Sequence, residues 1–504
     1  MGKVLMVQGT GSHAGKSLLV MALCRIFSRE GLRVAPFKAQ NMSLNSFVTP
    51  DGCEFSRAQA VQADAARVIP RVEMNPILLK PQDRCRSQVV AMGKPLGVAS
   101  ATEYRDLTPQ LWPLVARSLD TLGESNDIVV IEGAGSPAEI NLREQEIVNM
   151  RVARYAEAPV ILVGDIDRGG VFASLFGTVA LLEPEERALI RAFVINKFSG
   201  DPSLLDSGLE SLKQRTGIST AGVLPFFTDV ILPEEDSVGL ENPEGARPES
   251  EAPLDIAVIR LPRIANFDDF DPLRREPGVC LRYVDSPGRM GCPDLIVIPG
   301  SKATVADLKW MRQRGLDRSV SAHRRAGRPV VGLCGGYQML GLGILDPERV
   351  ESDSPQTDGL GLLPVKTVFE PNKATCQIEA EIVSGRGLMT GSQGSPISGY
   401  EIHMGRTRGA GSGPFRIRKR SGRPSDDPDG ALDSEGLTLG TYIHGLFHNH
   451  DFRRNLLLYL AGAKNVSLPA GAVLDMEREY DRLADLVSRH LDMDSVYRIA
   501  GLHP

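Results

Sequence analysis

The chain has 504 residues, of which 42% are hydrophobic and 24% charged, and its formal net charge at pH 7 is −6. A chain of this length exceeds what one hydrophobic core usually supports, so we expect at least two domains. The acidic balance and the 5% aromatic content argue against a general nucleic-acid binder, which would present a basic face and stacking platforms.

The cysteine spacing and the apolar runs indicate where in the cell the protein works. Seven cysteines are scattered without a C-x-x-C pair, which argues against a disulfide framework or a zinc site. The apolar run at residues 330–345 is interrupted by Gly335, Gly336 and Gln338, so it fits a strand, a turn and a helix better than a membrane span. We therefore expect a cytoplasmic protein that acts on small molecules and binds neither nucleic acid nor membrane. Its oligomeric state does not follow from the sequence.

Short β-branched runs alternate with helical patterns through the first half of the chain. This alternation predicts an α/β fold, in which helices cover both faces of a parallel sheet. The predicted strands lie at residues 3–7, 33–37, 127–131, 159–163, 192–195 and 221–224, and the predicted helices include residues 17–30 and 58–68.

A break in composition separates the two halves. Residues 233–253 are rich in Pro, Glu, Gly and Ser, which predicts an exposed linker or edge loop. Strand signals then resume and predict a second α/β domain, with strands at residues 255–259, 294–298, 329–333 and 437–443.

Two later segments have their own patterns. Residues 408–433 are rich in Gly, Arg and Asp, which predicts a mobile loop, and the tail from residue 451 has helical periodicity interrupted near Pro469. We therefore divide the chain into an N-terminal domain at residues 1–233, a linker at 234–253, a second domain at 254–450 and a C-terminal helical segment at 451–504.

The first strand leads into a glycine-containing loop, VLMVQGTGSHAGKS. Backbone N–H groups of such a loop, together with the N-terminus of the next helix, bind phosphate. Lys16 would reach the β- and γ-phosphates, and the Ser17 hydroxyl would hold Mg²⁺. The pattern departs from G-x-x-x-x-G-K-[ST] because Thr10 stands at the first glycine. The predicted nucleotide-binding residues are Thr10, Gly11, Ser12, His13, Ala14, Gly15, Lys16 and Ser17.

Two further strands end in polar residues at the same predicted edge of the sheet. Glu132 ends the third strand in VIEGAGS, where a carboxylate can complete the Mg²⁺ shell. Asn196 ends the fifth strand in INKF and could bind the nucleotide base. An exposed acid at a strand end is the alternative for Glu132.

Two loops that leave this edge carry closely spaced polar side chains. Lys38 and Asn41 lie in FKAQNMSLNS, and Asp165 and Arg168 lie in DIDRGGVFAS. These residues predict binding of a polar substrate that carries carboxylates. Capping and turn chemistry is the alternative interpretation.

The second domain contains a candidate nucleophile in VVGLCGGYQML. Small residues on either side of Cys334 allow the strained strand-to-helix turn that exposes a nucleophile, and the helix N-terminus favours the attacking thiolate. The oxyanion would be held by the N–H of Gly335 and by a second donor at Gly300 in IVIPGSK.

A histidine elsewhere should serve as the base. His444 follows an apolar strand in GTYIHGLFHNH, and His403 in GYEIHMG is the rival. His444, His448 and His450 could instead bind a metal, but no helix is evident to align the first two and only Asp451 stands close by as an acidic ligand. We therefore favour His444 as the base.

Together these segments resemble one family closely, cobyric acid synthase, the glutamine-dependent amidase–ligase of cobalamin biosynthesis. PFKAQNM and DIDRGGVFASL are specific to this family rather than to phosphate-loop proteins at large. The matching segments cover nearly the whole chain and are GTGSHAGKS, PFKAQNMSLNS, FSRAQAVQA, MNPILLKP, VIEGAGSPAEINL, DIDRGGVFASLFGT, INKFSGD, IPGSKATVADL, GLCGGYQMLG, GYEIHMGRT and GTYIHGLFH.

The resemblance implies an ATP-dependent amidoligase domain like dethiobiotin synthetase, followed by a class I glutamine amidotransferase domain. It implies that ATP and Mg²⁺ activate carboxylates of adenosylcobyrinic acid a,c-diamide as acyl phosphates. Ammonia from glutamine then gives the b, d, e and g amides. By matching motifs, Cys334 is the nucleophile, His444 the base, residues 10–17 the nucleotide loop and Glu132 the metal ligand.

Some roles stay open at this point. In the wider amidotransferase class a glutamate follows the base by two residues, but here that position is Leu446. Glu401 or a backbone carbonyl could orient His444 instead. A second Mg²⁺ carboxylate cannot be chosen among Asp51, Glu54 and Asp64.

Other functions remain as alternatives. The related corrinoid a,c-diamide synthase shares the architecture. A partitioning-type P-loop ATPase switch shares the phosphate loop but does not need the GLCGGYQ segment. A binding protein with an inactive glutaminase is disfavoured because Cys334 and His444 are both present.

Overall fold

The computed structural model describes residues 2–83, 85–227, 252–409, 411–471 and 475–502. The chain divides into two compact units, each built from separate stretches of sequence. The first comprises Met1–Ser43, Phe55–Glu235 and Asp475–Pro504, and the second comprises Leu44–Glu54 and Asp236–Leu474. The linker predicted at residues 234–253 lies almost entirely outside the described residues. Among those that are described, no helix has the length and apolar character needed to cross a membrane.

The secondary structure up to residue 227 alternates strands and helices. The strands are β1 (Lys3–Gly9), β2 (Val34–Phe37), β3 (Gln40–Met42), β4 (Ser46–Val48), β5 (Glu54–Ser56), β6 (Ile77–Pro81), β7 (Arg86–Ala91), β8 (Lys94–Ser100), β9 (Ile128–Glu132), β10 (Val160–Asp165), β11 (Ile190–Phe198) and β12 (Ser219–Pro225). The helices are α1 (Lys16–Arg29), α2 (Arg57–Ala65), α3 (Ala101–Ser125), α4 (Met150–Tyr155), α5 (Val171–Leu181), α6 (Pro184–Arg187) and α7 (Asp206–Thr216).

A six-stranded sheet of order β12-β11-β10-β1-β9-β2 forms the centre of the first unit. All its neighbouring strands are parallel, and all six strands predicted from the first half of the sequence belong to it. Residues Ile128–Glu132 of β9 are fully buried along their length. Burial on both faces explains why such strands appear as continuous apolar runs without alternation. The predicted parallel-sheet fold is therefore confirmed.

The carboxyl ends of these strands bring distant residues to one edge. Val7 pairs with Glu132 between β1 and β9, and Asp165 pairs with Asn196 between β10 and β11. The loop that follows β1 leaves from the same edge, because all these strands are parallel. The sheet thus gathers the phosphate loop, Glu132, Asp165 and Asn196.

A smaller sheet of order β3-β6-β7-β8 was not predicted. Its strands are short, and β8 is exposed over most of its length. Such an edge strand does not need a periodic apolar face, so periodicity gives little signal for it.

The secondary structure after residue 252 begins with a second α/β pattern. The strands are β13 (Leu254–Ile259), β14 (Ile264–Ala265), β15 (Val279–Val284), β16 (Leu295–Ile298), β17 (Gly300–Ser301), β18 (Val330–Leu333), β19 (Gly343–Leu345), β20 (Gln356–Asp358), β21 (Lys366–Ile382), β22 (Pro396–Arg408), β23 (Phe415–Arg420), β24 (Arg423–Asp429), β25 (Ala431–Leu432) and β26 (Thr438–Thr441). The helices are α8 (Asp271–Arg274), α9 (Thr304–Arg314), α10 (Leu316–Arg325), α11 (Gly335–Leu340), α12 (His450–Lys464), α13 (Met476–His490) and α14 (Met493–Ala500).

The second unit contains a six-stranded sheet of order β15-β13-β16-β18-β26-β25. It is parallel except for the last pair, and it includes the four strands predicted after the break in composition. A second sheet of order β20-β19-β21-β23-β24, with β22 paired to β21, lies in the same unit.

The prediction of a mobile loop at residues 408–433 was wrong. This segment contains β23 and β24, which pair antiparallel. Phe415 and Ile417 are buried, and the arginines between and after them form cross-strand ion pairs, such as Arg416 with Asp426 at 2.8 Å. The charged residues that suggested a loop lie on the exposed faces of β23 and β24, the last two strands of the sheet that also contains β21.

The tail from residue 451 contains α12, α13 and α14, and part of it belongs to the first unit. Helix α12 ends at Lys464, and α13 and α14 pack into the core of the first unit through residues such as Leu483 and Val487. The fully buried guanidinium of Arg25 pairs with Asp481 of α13 at 2.8 Å. A buried charge needs such a partner, so this pair fixes how α13 lies on α1.

Candidate active sites

The phosphate loop of the first unit needs glycine at its last turn. Gly15 has φ of 97°, and a Cβ there would lie 1.9 Å from Nδ2 of Asn196. Asn196 is buried and its Nδ2 donates a hydrogen bond to the Ala14 carbonyl at 2.9 Å. Asn196 therefore supports the backbone of the loop. Its binding to a nucleotide base stays a prediction.

Lys16 extends along the loop from the first turn of α1. Its Nζ donates to the carbonyl oxygens of Gly11 at 2.9 Å and Gly135 at 3.1 Å. Lys16 is 6% exposed, so its charge acts in a region of reduced dielectric. This arrangement provides a positive charge between the phosphate loop and the loop that follows β9.

Glu132 is the centre of a buried polar cluster at the end of β9. The Ser17 hydroxyl donates to its Oε1 at 2.8 Å, the Lys38 ammonium lies 2.8 Å from the same atom, and Gln62 Nε2 donates to Oε2. Carboxylate and hydroxyl oxygens are the ligands that Mg²⁺ prefers, and a nucleotide site usually adds phosphate oxygens to a few protein ligands. Ser17 and Glu132 therefore fit a Mg²⁺ ion.

The other predicted binding residues differ in their exposure. Asn41 is buried, and its Nδ2 donates to the Ser56 hydroxyl at 2.7 Å. Asp165 forms an ion pair with Lys197 at 2.7 Å, whereas the Arg168 side chain is 67% exposed. Asn41 is therefore an internal residue, and Arg168 is accessible to a ligand.

The three candidates for a second Mg²⁺ carboxylate belong to different units of the chain. Asp51 and Glu54 belong to the second unit, where Asp51 accepts a hydrogen bond from Thr49 and Glu54 pairs with Lys373. Asp64 lies on an exposed part of α2 in the first unit. The choice among them stays open.

Cys334 stands at a strained turn between β18 and α11 of the second unit. Its φ is 50° and its ψ is −108°, a conformation that a residue with a side chain rarely adopts. Its N–H donates to the Thr441 carbonyl at 2.8 Å. A Cβ at Gly336 would lie 2.0 Å from the Ile298 carbonyl oxygen, so glycine lets the turn pack against the neighbouring strand.

Gly300 and Gly335 lie on the two sides of the cysteine. A Cβ on Gly300 would be 3.8 Å from Cβ of Cys334 and 3.2 Å from Cε1 of His444, and Gly335 begins α11 directly after the cysteine. The structure therefore brings the backbones of both glycines close to Cys334. Their action as oxyanion donors stays a prediction.

His444 lies beside Cys334 and is oriented by Asp269. The imidazole Nδ1 is 2.8 Å from Oδ2 of Asp269, whose other oxygen accepts the Gly445 N–H at 2.7 Å. Glu401, which was one candidate for this role, instead binds Arg420 at 3.2 Å. Asp269 was not among the site residues predicted from the sequence. Its signal was an unusual run of acids among phenylalanines, NFDDFDP, which forms the short 3-10 helix Phe267–Phe270.

The environment of His444 favours its charged form. Burial alone would lower the pKa of His444, but the Asp269 carboxylate and the hydrogen bond with Cys334 outweigh it and raise the pKa to about 10. Asp269 and His444 are 1% and 2% exposed, so the pair acts without competition from bulk water. The three side chains therefore place an imidazolium next to the Cys334 side chain.

Tyr400 also positions the imidazole of His444. Its ring stacks on His444 with centroids 5.3 Å apart, and its hydroxyl accepts a hydrogen bond from Asn266 Nδ2 at 2.9 Å. The backbones of Tyr400 and His444 also exchange two hydrogen bonds, at 2.9 and 3.2 Å. The position of the His444 ring is therefore fixed by the Asp269 carboxylate, by the Tyr400 ring and by the backbone hydrogen bonds.

The rival base His403 lies in a different setting. Burial lowers the pKa of His403 to about 4, its Nδ1 contacts the Gly405 carbonyl at 3.1 Å, and its ring stacks on Tyr442. Cys334 Sγ lies 3.5 Å from the carbonyl of Ile402, the residue before His403. His403 therefore lines the region of the cysteine as a neutral ring.

Comparisons with known proteins agree with these two sites. Residues 5–238 match the CobQ/CobB/MinD/ParA nucleotide binding domain, and residues 255–452 match the CobB/CobQ-like glutamine amidotransferase domain. The fold and the sites thus define a glutamine-hydrolysing amidoligase with a nucleotide-binding domain.

Relatives that match the whole length of the chain identify its family within this class of enzymes. Proteins named cobyric acid synthase are 51% identical to it in Sorangium cellulosum (99% of this chain, 98% of the relative), in Dehalococcoides mccartyi (99% and 99%) and in Moorella thermoacetica (100% and 98%). The chain belongs to the cobyric acid synthase family, as its motifs predicted.

Proposed function

We propose that this protein uses ATP, Mg²⁺ and glutamine to amidate the b, d, e and g carboxylates of adenosylcobyrinic acid a,c-diamide, giving adenosylcobyric acid in cobalamin biosynthesis. The observation that carries the proposal is the match over the whole chain to cobyric acid synthases, because it includes both the phosphate loop and the Cys334 turn. We place the reaction in the cytoplasm, where ATP and glutamine are available and cysteine thiols stay reduced.

In the glutaminase half-reaction, the Cys334 thiolate attacks the carboxamide carbon of glutamine. The N–H groups at Gly300 and Gly335 stabilise the oxyanion, and the His444 imidazolium gives its proton to the leaving ammonia. His444 then takes a proton from the water that hydrolyses the thioester. Asp269 keeps Nδ1 protonated, so that Nε2 is the nitrogen that exchanges protons with Cys334 and substrate.

In the amidoligase half-reaction, a carboxylate of the corrinoid attacks the γ-phosphate of ATP, the bond between the γ-phosphorus and the β–γ bridging oxygen breaks, and ADP leaves while an acyl phosphate forms. Lys16 neutralises charge on the phosphates, and the backbone of residues 10–17 orients them. Ser17 and Glu132 would hold the Mg²⁺, which supplies further charge neutralisation when bound. Lys38 stabilises the Glu132 carboxylate, and Arg168 is available to bind a carboxylate of the substrate.

Replacing the nucleophile separates the two half-reactions. Cys334→Ser should abolish glutamine-dependent amidation and leave amidation with ammonium chloride intact, because only the supply of nitrogen is lost. The measurement is amide formation by mass spectrometry with each nitrogen source. Retention of glutamine-dependent synthesis would show that Cys334 is not the nucleophile.

Replacing the lysine of the phosphate loop should remove the amidoligase half-reaction instead of the glutaminase half-reaction. Lys16→Ala should abolish amidation with either nitrogen source, while part of the glutamine hydrolysis remains. Both activities are measured on the same preparation. Normal amide synthesis by this variant would show that the phosphate loop takes no part in the reaction.

The substrate itself is tested by comparing corrinoids. We expect turnover of adenosylcobyrinic acid a,c-diamide with ATP and glutamine, and no turnover of the acid that lacks the a and c amides. The reverse result would indicate the a,c-diamide synthase. Salt-dependent DNA binding with no amidation would indicate a partitioning-type ATPase.

A further inference from the structure

One of two buried glutamines of α2 contacts the proposed Mg²⁺ carboxylate, and the other stands about one helical turn away. Gln59 and Gln62 belong to the FSRAQAVQA segment and stand three residues apart, on the same face of the helix. Both residues are 0% exposed. Gln62 Nε2 donates to Oε2 of Glu132, and Gln59 Oε1 accepts a hydrogen bond from Asn41 Nδ2 at 3.2 Å.

Each glutamine uses one end of its carboxamide and leaves the other unpaired. Within the part of the chain that the structure describes, Nε2 of Gln59 and Oε1 of Gln62 have no hydrogen-bond partner. A buried polar atom without a partner costs about 1–3 kcal/mol, so two of them on one face require an explanation. The pair presents one donor and one acceptor, fixed by the bonds that their other ends make.

This pattern matches the amide-forming step better than it matches the starting carboxylate. A carboxylate offers only acceptors, which suit Gln59 Nε2 but not Gln62 Oε1. An acyl carbonyl together with ammonia offers an acceptor and a donor, as does the product carboxamide. The position beside Glu132 is where the activated carboxyl group would form.

We propose that Gln59 and Gln62 form the amidation subsite, an inference that rests on the proposed function. Gln59 Nε2 donates to the carbonyl oxygen of the acyl phosphate, and Gln62 Oε1 accepts an N–H of the incoming ammonia. The nitrogen lone pair forms the C–N bond, the C–O bond to phosphate breaks, and inorganic phosphate leaves with the bonding electrons and takes up the proton that nitrogen loses. The subsite thus positions ammonia and excludes water from the acyl carbon.

The test uses the full-length enzyme with the corrinoid, ATP and ammonium chloride, so that Cys334 is bypassed. ADP and amide are measured in the same reaction. Gln59→Glu keeps an acceptor for Asn41 but replaces the unpaired donor, and Gln62→Met removes the unpaired acceptor. For both variants we expect kcat/KM for ammonia to fall about tenfold and the ratio of ADP to amide to rise, because water then consumes the acyl phosphate.

Controls separate this inference from folding and from the proposed function. Gln214→Met, on the exposed side of α7, should behave as wild type. Glutamine hydrolysis and the unfolding midpoint report on the fold of each variant. If the wild type forms neither ADP nor amide, the proposed function fails. If it forms both, but ADP and amide fall in parallel in the variants or stay unchanged, the pair is only structural and the inference is overturned.

Discussion

At the residue scale, the glutaminase site depends on an acid that is distant in sequence from its base. Asp269 and His444 are 175 positions apart and meet at 2.8 Å. The position two residues after the base, where a glutamate is expected, is the fully buried Leu446. The carboxylate therefore enters from another part of the second unit and keeps the same contact with Nδ1.

Asp269→Asn should lower kcat for glutamine hydrolysis by roughly 100-fold or more, because the imidazole loses both its orientation and its preferred tautomer. The pKa of His444 is raised to about 10, so the imidazolium is present below that pH and lost above it. Without the carboxylate this pKa falls, and the alkaline limb of the pH–rate profile should move to lower pH. The profile of kcat/KM for glutamine measures this shift.

The matched control is Asp353→Asn, which removes an exposed carboxylate of the same unit. Amidation supported by ammonium chloride should be unchanged in both variants. An unshifted alkaline limb in Asp269→Asn would mean that the carboxylate does not act on His444.

At the element scale, the Cys334 turn shows how close packing creates reactivity. Helix α11 begins directly after the cysteine and runs against the ends of β16 and β18, where there is no space for a side chain on Gly336. The positive φ of Cys334 is the cost of turning from strand to helix within one residue. Strand β18, the turn and helix α11 therefore together fix the position of the Cys334 thiol.

Gly336→Ala should destabilise the second unit by about 1–3 kcal/mol and greatly reduce glutamine hydrolysis, because the added methyl group would meet the Ile298 carbonyl. Thermal unfolding and the rate of glutamine hydrolysis measure the two effects. Gly462→Ala is the matched control, since a methyl group there has open space on α12 and should be neutral or stabilise by up to about 1 kcal/mol. Equal stability and activity in the two variants would contradict this account of the turn.

At the scale of the whole molecule, neither unit is a continuous stretch of chain. Residues 44–54 belong to the second unit although they lie early in the sequence, and residues 475–504 belong to the first although they end the chain. Helix α13 completes the core around α1, with Leu483 at 0% exposure and Arg25 paired to its acids. The first unit therefore needs the last part of the chain for its stability.

Leu483→Ala should destabilise the first unit by about 2–5 kcal/mol, because it removes buried methyl groups and leaves a cavity between α13 and α1. The unfolding transition is measured by urea titration with nucleotide binding as the probe. Leu458→Ala on α12, where the leucine is 48% exposed, should change stability little. A similar loss for both variants would argue against this role of α13.

The sequence alone determined the features that have local physical causes. The six central strands of the first unit and the four of the second follow from apolar runs, and the phosphate loop and the Cys334 turn follow from glycine spacing at strand ends. The motifs, read together, also indicated the family.

The contacts between residues that are distant in sequence became visible in the three-dimensional fold. The pairing of Asp269 with His444, the return of α13 to the first unit and the contact of Gln62 with Glu132 join segments that no local pattern relates. Strands β23 and β24 were mistaken for a loop because their charges are paired across strands, which composition does not reveal. Local sequence patterns specify helices and strands. The partners of buried charges and polar groups depend on the complete fold, because burying such a group costs free energy only once the chain is packed.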